Sequence, residues 1–223
     1  MQRTRDGIRS TIDVLMNDLT EEPTIRAILD RVRELVPEAE HVSLGVLAGR
    51  RLRTLAATSA LAERSESLQS ETGEGPSRET GESWARSGDV GGDSRWPSWG
   101  PKVADLGLRS LLSLPMVTGV GRLGTLNLYS SAKGAFTDND ALSRVPGYAN
   151  HAANALRSAQ HISGLEAALQ SRQLIGMAVG ILMQRYELHE DAAFAVLKRT
   201  SNHLNRKLRD VAAHVIAARE LPT

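Results

Sequence analysis

Five cations and two amides lie close together in the last thirty residues of the sequence. Between Ala195 and Arg209 the chain has no acidic residue, and its cations are Lys198, Arg199, Arg206, Lys207 and Arg209. Basic side chains at this density suit the phosphates of a nucleic acid, because they neutralise its backbone charge. Asn202 and Asn205 add groups that can hydrogen-bond to base edges or ribose hydroxyls. The stretch predicts a nucleic-acid contact; a basic face that only meets solvent is the alternative.

Two of these cations are predicted to lie in the first turn of a helix. Apolar residues at helical spacing follow them, and Asn205 is a suitable N-cap for the helix that carries Leu208, Val211, Ala212, Val215 and Ile216. A helix N-terminus disfavours each cation by about 0.3–1 kcal/mol. A bound phosphate would reverse that cost, because the first-turn N–H groups also face it. The placement of Arg206 and Lys207 therefore favours a role in phosphate binding over a purely structural role.

The charge of the whole chain hides this feature, because 27 basic and 26 acidic side chains nearly cancel. Residues 1–158 carry 19 basic and 20 acidic side chains, whereas residues 159–223 carry 8 and 6. A neutral first part and a locally basic second part predict modest, specific nucleic-acid affinity rather than broad attraction.

Composition excludes several other chemistries. The chain has no cysteine, which removes disulfides, thiol catalysis and cysteine-bound metal clusters. Its six histidines are scattered, so we expect no metal and no cofactor. No nucleophile–base pair or carboxylate dyad suggests an enzyme. The sequence has neither a bilayer-length apolar run nor a signal-peptide core, so we expect a cytoplasmic protein without membrane contact.

Gly119, Gly121 and Gly124 fit the G-x-G-x-x-G pattern of dinucleotide-binding loops. That fingerprint needs a strand before it and a helix after it. Here one strand pattern over 109–118 is followed by another over 122–131, so the glycines predict a hairpin turn instead.

Hydrophobic periodicity predicts the elements that precede this hairpin. We expect a helix over 8–19, a second helix from Pro23, and a β-hairpin over 42–55 that turns at Gly49 and Arg50. Residues 59–100 hold nine serines, seven glycines and all three tryptophans. That composition predicts long loops with short helices over one side of a sheet, with at least two tryptophans in structural roles.

A nearly unbroken helical pattern then runs from a cap formed by Thr137 and Asp140 to Tyr186, with a kink expected at Pro146. Four of its residues have a/d-like spacing: Ile162, Leu165, Leu169 and Arg172. They fit a short coiled coil or a helix packed on its own domain. After a break at 187–189, two short helices complete a three-helix bundle.

Residues 171–216 resemble an ANTAR domain, a three-helix RNA-binding module of bacterial transcription antiterminators. The resemblance rests on three segments in the expected order, Ala178-x-Gly180-Ile181-Leu182-Met183, Ala193-Phe194 and Lys207-Leu208-x-x-Val211-Ala212. Val179 stands where many members have Lys, and His189 where they have Ser or Thr. The resemblance implies that the partner is RNA, in stem-loops of nascent leader transcripts.

Residues 21–158 resemble a GAF domain, a small-molecule-sensing fold. The matching segments are Leu52–Thr58, Gly73-Glu74-Gly75-Pro76, Arg95-Trp96-Pro97, Arg109–Pro115 and Leu123–Tyr129. Relatives often carry Cys directly after Gly-Glu-Gly-Pro, where this chain has Ser77, which argues against a thiol-based sensor. The resemblance implies a small-molecule ligand, whose contact residues the sequence does not identify.

The predicted fold class is α+β, with an antiparallel-sheet GAF domain flanked by helices, then a long helix and an all-α three-helix ANTAR bundle. The predicted division is an N-terminal helix (1–20), a GAF-like domain (21–158) and an ANTAR-like domain (159–223). The predicted function is signal-responsive antitermination by a homodimer. Its RNA-binding residues would be Lys198, Arg199, Asn202, Asn205, Arg206, Lys207 and Arg209.

Two other functions compete with this prediction. One is a ligand-controlled dimerisation or protein-docking module that binds no nucleic acid. The other is a helix-turn-helix DNA binder, which the apolar character of the third helix disfavours, because a recognition helix presents polar residues outward.

Overall fold

The computed structural model describes residues 21–48, 51–79, 83–136 and 139–222. They form two compact units that divide between Gln160 and His161, called here the first and second unit. The first unit is built on an antiparallel sheet, and the second is helical. The α+β fold class predicted from the sequence is confirmed.

The described elements of the first unit begin with helix α1 (Glu21–Leu35). Then come β1 (His41–Ala48), β2 (Arg51–Ala57), α2 (Ala60–Thr72), β3 (Ala85–Ser87), α3 (Gly100–Asp105), β4 (Ser110–Thr118) and β5 (Gly121–Ser130). Short 3-10 turns cover Pro76–Arg78 and Val90–Gly92. Helix α4 (Asn139–Tyr186) begins in the first unit and ends in the second.

The strands pair in the order β2-β1-β5-β4-β3, and every described pair is antiparallel. The β4–β5 hairpin closes between Thr118 and Gly121, and Gly121 has a positive φ of 118°. Gly124 lies within β5 against β1, where a Cβ would overlap the carbonyl of Gly45. The glycine pattern therefore serves a turn and a close strand approach, as expected from the strand that follows it.

One face of the three central strands is apolar. Successive inward positions of β1, β4 and β5 are Val42, Leu44, Val46, Leu112, Leu114, Met116, Leu126 and Leu128, and all are buried. They pack against α1 and the first part of α4. Each such side chain contributes roughly 1.5–3 kcal/mol relative to exposure, so this face holds the main core.

Two tryptophans anchor the chain that covers the other face. Trp96 and Trp99 are 2% and 0% exposed, and their rings meet edge to face at 5.3 Å. The Trp99 Nε1 donates to the Ser65 carbonyl at 3.1 Å, and the Trp96 Nε1 to Glu79 at 2.9 Å. Trp84, by contrast, is 45% exposed. The expectation that at least two tryptophans are structural is confirmed.

Within the stretch predicted as long loops with short helices, residues 60–72 form the 13-residue helix α2. Ser59 caps it by accepting from the Ala62 N–H, and Gly73 ends it with a φ of 74°. The buried face of α2 includes Ser65, Glu66 and Gln69. Hydrophobic periodicity cannot detect a helix whose inward residues are polar.

The second unit is the predicted three-helix bundle. It comprises the last part of α4, α5 (Glu190–His203) and α6 (Leu208–Ala218), joined around a core of Ala178, Val179, Leu182, Ala193, Leu197, Val211, Ala212 and Val215. Glu187 interrupts the helical path with a φ of 53°. Glu190 and Asp191 lie in the first turn of α5, where the helix dipole favours acids.

Three predictions fall outside the described residues. They are the N-terminal helix (1–20), the turn at Gly49 and Arg50, and the helix cap formed by the side chains of Thr137 and Asp140. Among the helices that the structure does describe, none combines the length and apolarity needed to cross a membrane.

Candidate nucleic-acid interface and buried polar cluster

The predicted RNA-binding residues occupy one continuous corner of the second unit, from the second half of α5 to the start of α6. All seven are exposed: Lys198, Arg199, Asn202, Asn205, Arg206, Lys207 and Arg209. Helix α5 turns its apolar side inward, with Ala193 and Leu197 fully buried. Lys198 and Asn202 are four residues apart, so they neighbour each other on the outer side.

A buried serine shapes the turn between α5 and α6. The Ser201 hydroxyl donates to the Arg206 carbonyl at 2.6 Å, while the Arg206 N–H donates to the Ser201 carbonyl at 3.1 Å. Ser201 is only 8% exposed. This double bridge fixes the backbone of the turn, so the side chains of Asn205, Arg206 and Lys207 leave it in defined directions.

The prediction that Asn205 caps α6 is wrong. Asn205 has a φ of 48°, the left-handed conformation that terminates α5. The N-cap of α6 is Lys207, which makes no side-chain cap hydrogen bond. Arg206 therefore precedes the helix, and Lys207 stands at its edge rather than in its first turn. Asn tolerates the left-handed region better than most residues, which explains its presence here.

The cations of this corner have little acidic compensation. Arg209 contacts Asp210 at 3.5 Å, and both side chains are about half exposed (49% and 50%). Exposed ion pairs contribute roughly 0–1 kcal/mol, so this one leaves Arg209 able to exchange partners. Asp210 itself lies in the first turn of α6, where it favours the helix.

Phe194 is more exposed than its motif suggested. It directly follows the buried Ala193 in the motif that resembles an ANTAR domain, but its side chain is 40% exposed. It precedes Lys198 by one helical turn, so an aromatic edge borders the basic corner.

A second polar site, which sequence reasoning did not predict, lies inside the first unit around Glu66 of α2. The carboxyl is 2% exposed. Its Oε1 accepts from Ser43 at 2.6 Å, from Asn127 at 2.6 Å and from Tyr129 at 3.0 Å. Its Oε2 accepts from Gln69 at 2.9 Å. We call Ser43, Glu66, Gln69, Ser77, Ser113, Asn127 and Tyr129 the polar cluster.

The polar cluster extends from the sheet to the turn after α2. Asn127 also donates to Ser77 at 2.7 Å and accepts from Ser113 at 2.5 Å. The Gln69 amide accepts from the Ser77 N–H at 2.8 Å and donates to the Ser77 hydroxyl at 3.2 Å. The cluster thus joins α2, three strands and the 3-10 turn through side-chain hydrogen bonds and the backbone N–H of Ser77.

Burial shifts the acidity of the cluster. It raises the pKa of Glu66, while the hydrogen bonds from Ser43, Asn127 and Tyr129 oppose that rise. Burial and the Glu66 charge also raise the pKa of Tyr129 well above its usual value. Tyr129 therefore stays a neutral donor, and Glu66 is the group that titrates.

The sequence did contain a signal for this site. Thr125, Asn127 and Tyr129 alternate along β5 with the buried Leu126 and Leu128, so that strand has polar residues on one face. All of them are buried, although the Thr125 hydroxyl has no hydrogen-bond partner. In a strand with both faces covered, polar alternation indicates a buried polar layer rather than a solvated face.

An open groove of about 540 Å³ lies elsewhere in the first unit, between α1 and β2. The groove is lined by apolar residues and by three charged residues of α1: Ile25, Leu29, Leu55, Ala56, Glu21, Glu22 and Arg26. Within the described part of the chain, no group of three or more His, Cys, Asp or Glu residues could hold a metal ion.

Two family models match the chain, one on each side of the boundary between the two units at residues 160 and 161. A GAF domain model matches residues 18–157, and an ANTAR domain model matches residues 163–216. A search of curated proteins finds no match.

Similar solved structures cover about two thirds of the chain. A domain of a two-component sensor histidine kinase from Sinorhizobium meliloti is 17% identical with a TM-score of 0.52, covering 66% of this chain and 96% of that one. A GAF domain from Synechocystis is 17% identical with a TM-score of 0.51, covering 68% and 98%. The GAF domain of an Acinetobacter phosphoenolpyruvate-protein phosphotransferase is 13% identical with a TM-score of 0.51, covering 71% and 96%.

At these identities the structures establish the fold alone, while the family models cover both units. GAF domains are sensor domains and ANTAR domains are RNA-binding antitermination domains; neither is a catalytic domain. The chain belongs to the GAF-domain family and carries an ANTAR domain after its GAF domain.

Proposed function

We propose that this protein is a signal-responsive, RNA-binding regulator of transcription antitermination. It acts in the cytoplasm on stem-loops of nascent leader RNA, under control of its GAF domain and a small-molecule ligand of that domain. Holding a stem-loop prevents the terminator hairpin from forming, so transcription continues. The observation that carries the proposal is the exposed, acid-free basic corner at 198–209 of the ANTAR domain.

Each group in this corner has a role suited to RNA. The phosphates of the RNA are bound by the five cations, because an exposed cation loses little free energy when a phosphate replaces its water. These cations are Lys198, Arg199, Arg206, Lys207 and Arg209. Asn202 and Asn205 lie among these cations and reach base edges or ribose hydroxyls. The fixed turn at Ser201 reduces the ordering cost of binding.

The test is a binding titration with stem-loop RNA at several salt concentrations. Lys207→Ala combined with Arg209→Ala should weaken binding and reduce the salt slope by about 1 for each phosphate that is no longer neutralised. A matched control, Lys102→Ala with Arg157→Ala, removes two exposed cations from the first unit and should change neither quantity. An unchanged affinity and slope in the first variant would exclude this corner as the RNA site. Tighter binding to duplex DNA than to RNA would favour a DNA-binding function instead.

We also propose that the protein is a homodimer whose seam lies on the outer side of α4. Four positions of α4 are spaced seven residues apart, which is the spacing of a coiled-coil seam. They are Ile162, Leu169, Gly176 and Met183. Leu165 and Leu169 are 53% and 68% exposed. A second copy of the same helix has the same repeat and so fits this seam.

Leu165→Glu with Leu169→Glu should convert the dimer to a monomer in sedimentation experiments, because like charges would face each other across the seam. Glu166→Gln changes an exposed neighbour and should leave the dimer intact. A protein that is monomeric at all concentrations would contradict the seam. A ligand-dependent change in oligomeric state without any RNA binding would favour the dimerisation or docking function.

A further inference from the structure

Phe194 of α5 has a feature that phosphate binding by the basic corner does not explain. Its side chain is 40% exposed, whereas Ala193 before it and Leu197 after it are fully buried. Among the described residues, the apolar side chains that form or border the core of the second unit do not include Phe194. The fold therefore leaves an aromatic ring at the surface of α5.

The neighbours of this ring on the outer side of α5 are charged rather than apolar. Residues three and four positions apart share a helix face, and the exposed ones around Phe194 are Glu190, Asp191 and Lys198. The core of a protein–protein interface is depleted in charged residues. The surroundings of Phe194 therefore disfavour a protein as its partner.

The charges on the two sides of Phe194 have opposite signs. Glu190 and Asp191, in the first turn of α5, repel phosphates, whereas Lys198 attracts them. An RNA backbone that contacts Lys198 is therefore disfavoured from continuing past Phe194. A base carries no charge, so the acids do not exclude it. The ring thus lies where phosphate binding ends and where a base is still accepted.

The spacing along α5 fits the parts of a nucleotide. Phe194, Lys198 and Asn202 follow one another at intervals of four residues, so they lie along one side of the helix. Each interval corresponds to about 6 Å along the helix axis. This length is comparable to the size of one nucleotide, so a base on Phe194 and its phosphate at Lys198 can be bound together.

Contacts within the protein do not occupy the ring or the neighbouring cation. The cation–π contacts found in the described part of the chain involve two tryptophans and Tyr186, and none of them uses Phe194. The ion pairs described in the second unit likewise leave out Lys198. Both side chains can therefore bind a partner without breaking a contact inside the bundle.

We propose that Phe194 stacks on an unpaired base in the loop of the bound RNA, next to a phosphate held by Lys198. The base comes from a loop, because bases inside a paired stem are already stacked on both faces. Every base has a π face, so this contact adds affinity for a loop rather than for one sequence. The inference rests on the proposed function, since it requires RNA at the basic corner.

The experiment compares two RNA probes, a hairpin whose loop consists of unpaired adenines and a blunt duplex with the same stem and no loop. Binding of the full chain is titrated at several salt concentrations, and wild type should bind the hairpin more tightly. Phe194→Leu keeps an apolar side chain but removes the ring. It should weaken hairpin binding about five- to a hundredfold, the effect of one base–aromatic stack, without changing the salt slope or the duplex affinity.

Two further variants serve as controls. Phe194→Tyr keeps an aromatic ring and should retain the affinity for the hairpin. Trp84→Leu removes a ring of similar exposure, 45%, from the first unit and should change neither affinity. Equal hairpin affinity of Phe194→Leu and wild type would overturn the inference, and so would a parallel loss of affinity for hairpin and duplex.

A second measurement uses wild type and so does not depend on the folding of a variant. Each loop adenine is replaced in turn by 2-aminopurine, whose fluorescence falls when it stacks on an aromatic ring. Binding of wild type should lower the fluorescence of at least one loop position below that of the free hairpin. Unchanged or increased fluorescence at every loop position would contradict the stacking.

The outcomes also separate this inference from the proposed function. If Lys207→Ala with Arg209→Ala weakens binding to both probes while Phe194→Leu binds like wild type, the basic corner holds RNA and the stacking is wrong. If wild type retains neither probe, the proposed function fails, and this inference fails with it.

Discussion

The two units place similar polar side chains in opposite surroundings. In the first unit, Asn127 is fully buried and bonds to three neighbours through its amide. In the second unit, Asn202 is exposed beside Lys198 and Arg199. Both are asparagines on regular elements, yet one completes a buried network and the other is available to a partner. Burial and partnering, rather than residue type, separate an architectural amide from a binding one.

The difference extends to charge. The first unit encloses one carboxyl among neutral donors, whereas the second keeps its cations in water on one corner. Charges in water cost little until a partner replaces the solvent, so they suit reversible binding. A buried ionisable group affects the stability of its own domain whether or not a partner is bound. Mutations of buried polar residues in the first unit should therefore lower stability, whereas mutations in the basic corner of the second unit should lower RNA affinity.

The largest loss of stability is expected when a buried tryptophan of the first unit is truncated. Trp99→Ala should cost about 3–5 kcal/mol in the free energy of unfolding of the first unit, because it leaves a cavity and removes the bond to the Ser65 carbonyl. Trp84→Ala is the matched control and should cost less than about 1 kcal/mol, because Trp84 is 45% exposed. Denaturant unfolding measures both. Comparable losses would mean that the covering tryptophans are not the anchors described above.

The pair of asparagines tests the comparison directly. Asn127→Ala should destabilise the first unit by about 2–4 kcal/mol, because it leaves Glu66, Ser77 and Ser113 with unmade hydrogen bonds. Asn202→Ala should change stability by less than about 0.5 kcal/mol. It should instead weaken RNA binding about two- to tenfold, the value of one hydrogen bond. A stable Asn127→Ala protein, or an Asn202→Ala protein with full RNA affinity, would break the contrast.

The smallest loss of stability is expected at Ser201, which is buried and also fixes the turn that carries two of the predicted RNA-binding cations. Ser201→Ala should cost about 1–2 kcal/mol of stability in the second unit, because the Arg206 carbonyl loses its donor. It should also weaken RNA binding, since the turn that carries Arg206 and Lys207 becomes less ordered. Ser158→Ala, at an exposed serine of α4, should change neither property. Unchanged stability and affinity in Ser201→Ala would show that the turn is fixed by other contacts.

The sequence predicted those elements whose two faces differ in polarity. The β4–β5 hairpin, α1 and the bundle helices follow from hydrophobic periodicity, and the break at 187–189 follows from the loss of that period. The exposure of all seven predicted RNA-binding residues follows from the same rule, because the acid-free stretch has its apolar residues inward.

The sequence predicted short helices within residues 59–100 but not the bounds of α2, because polar residues of that helix face inward. Helix α2 buries Ser65, Glu66 and Gln69, so its inward face resembles a surface in the sequence. The cap at Ser59 and the glycine at Gly73 were its remaining local signals. Asn205 was misassigned for a related reason: Asn suits both an N-cap and a left-handed helix end, and the backbone path decides between them. These choices depend on tertiary contacts that no local pattern encodes.

The position of Ser77 offers an experimental opportunity. It is 1% exposed, lies in the turn after α2 and belongs to a chain without any cysteine. Ser77→Cys would therefore introduce a single thiol with no background reactivity. A water-soluble thiol reagent could modify it only during local opening, so its labelling rate would report how often the turn leaves the sheet. The labelling rate of this one thiol would thus measure local opening of the GAF domain in the full chain.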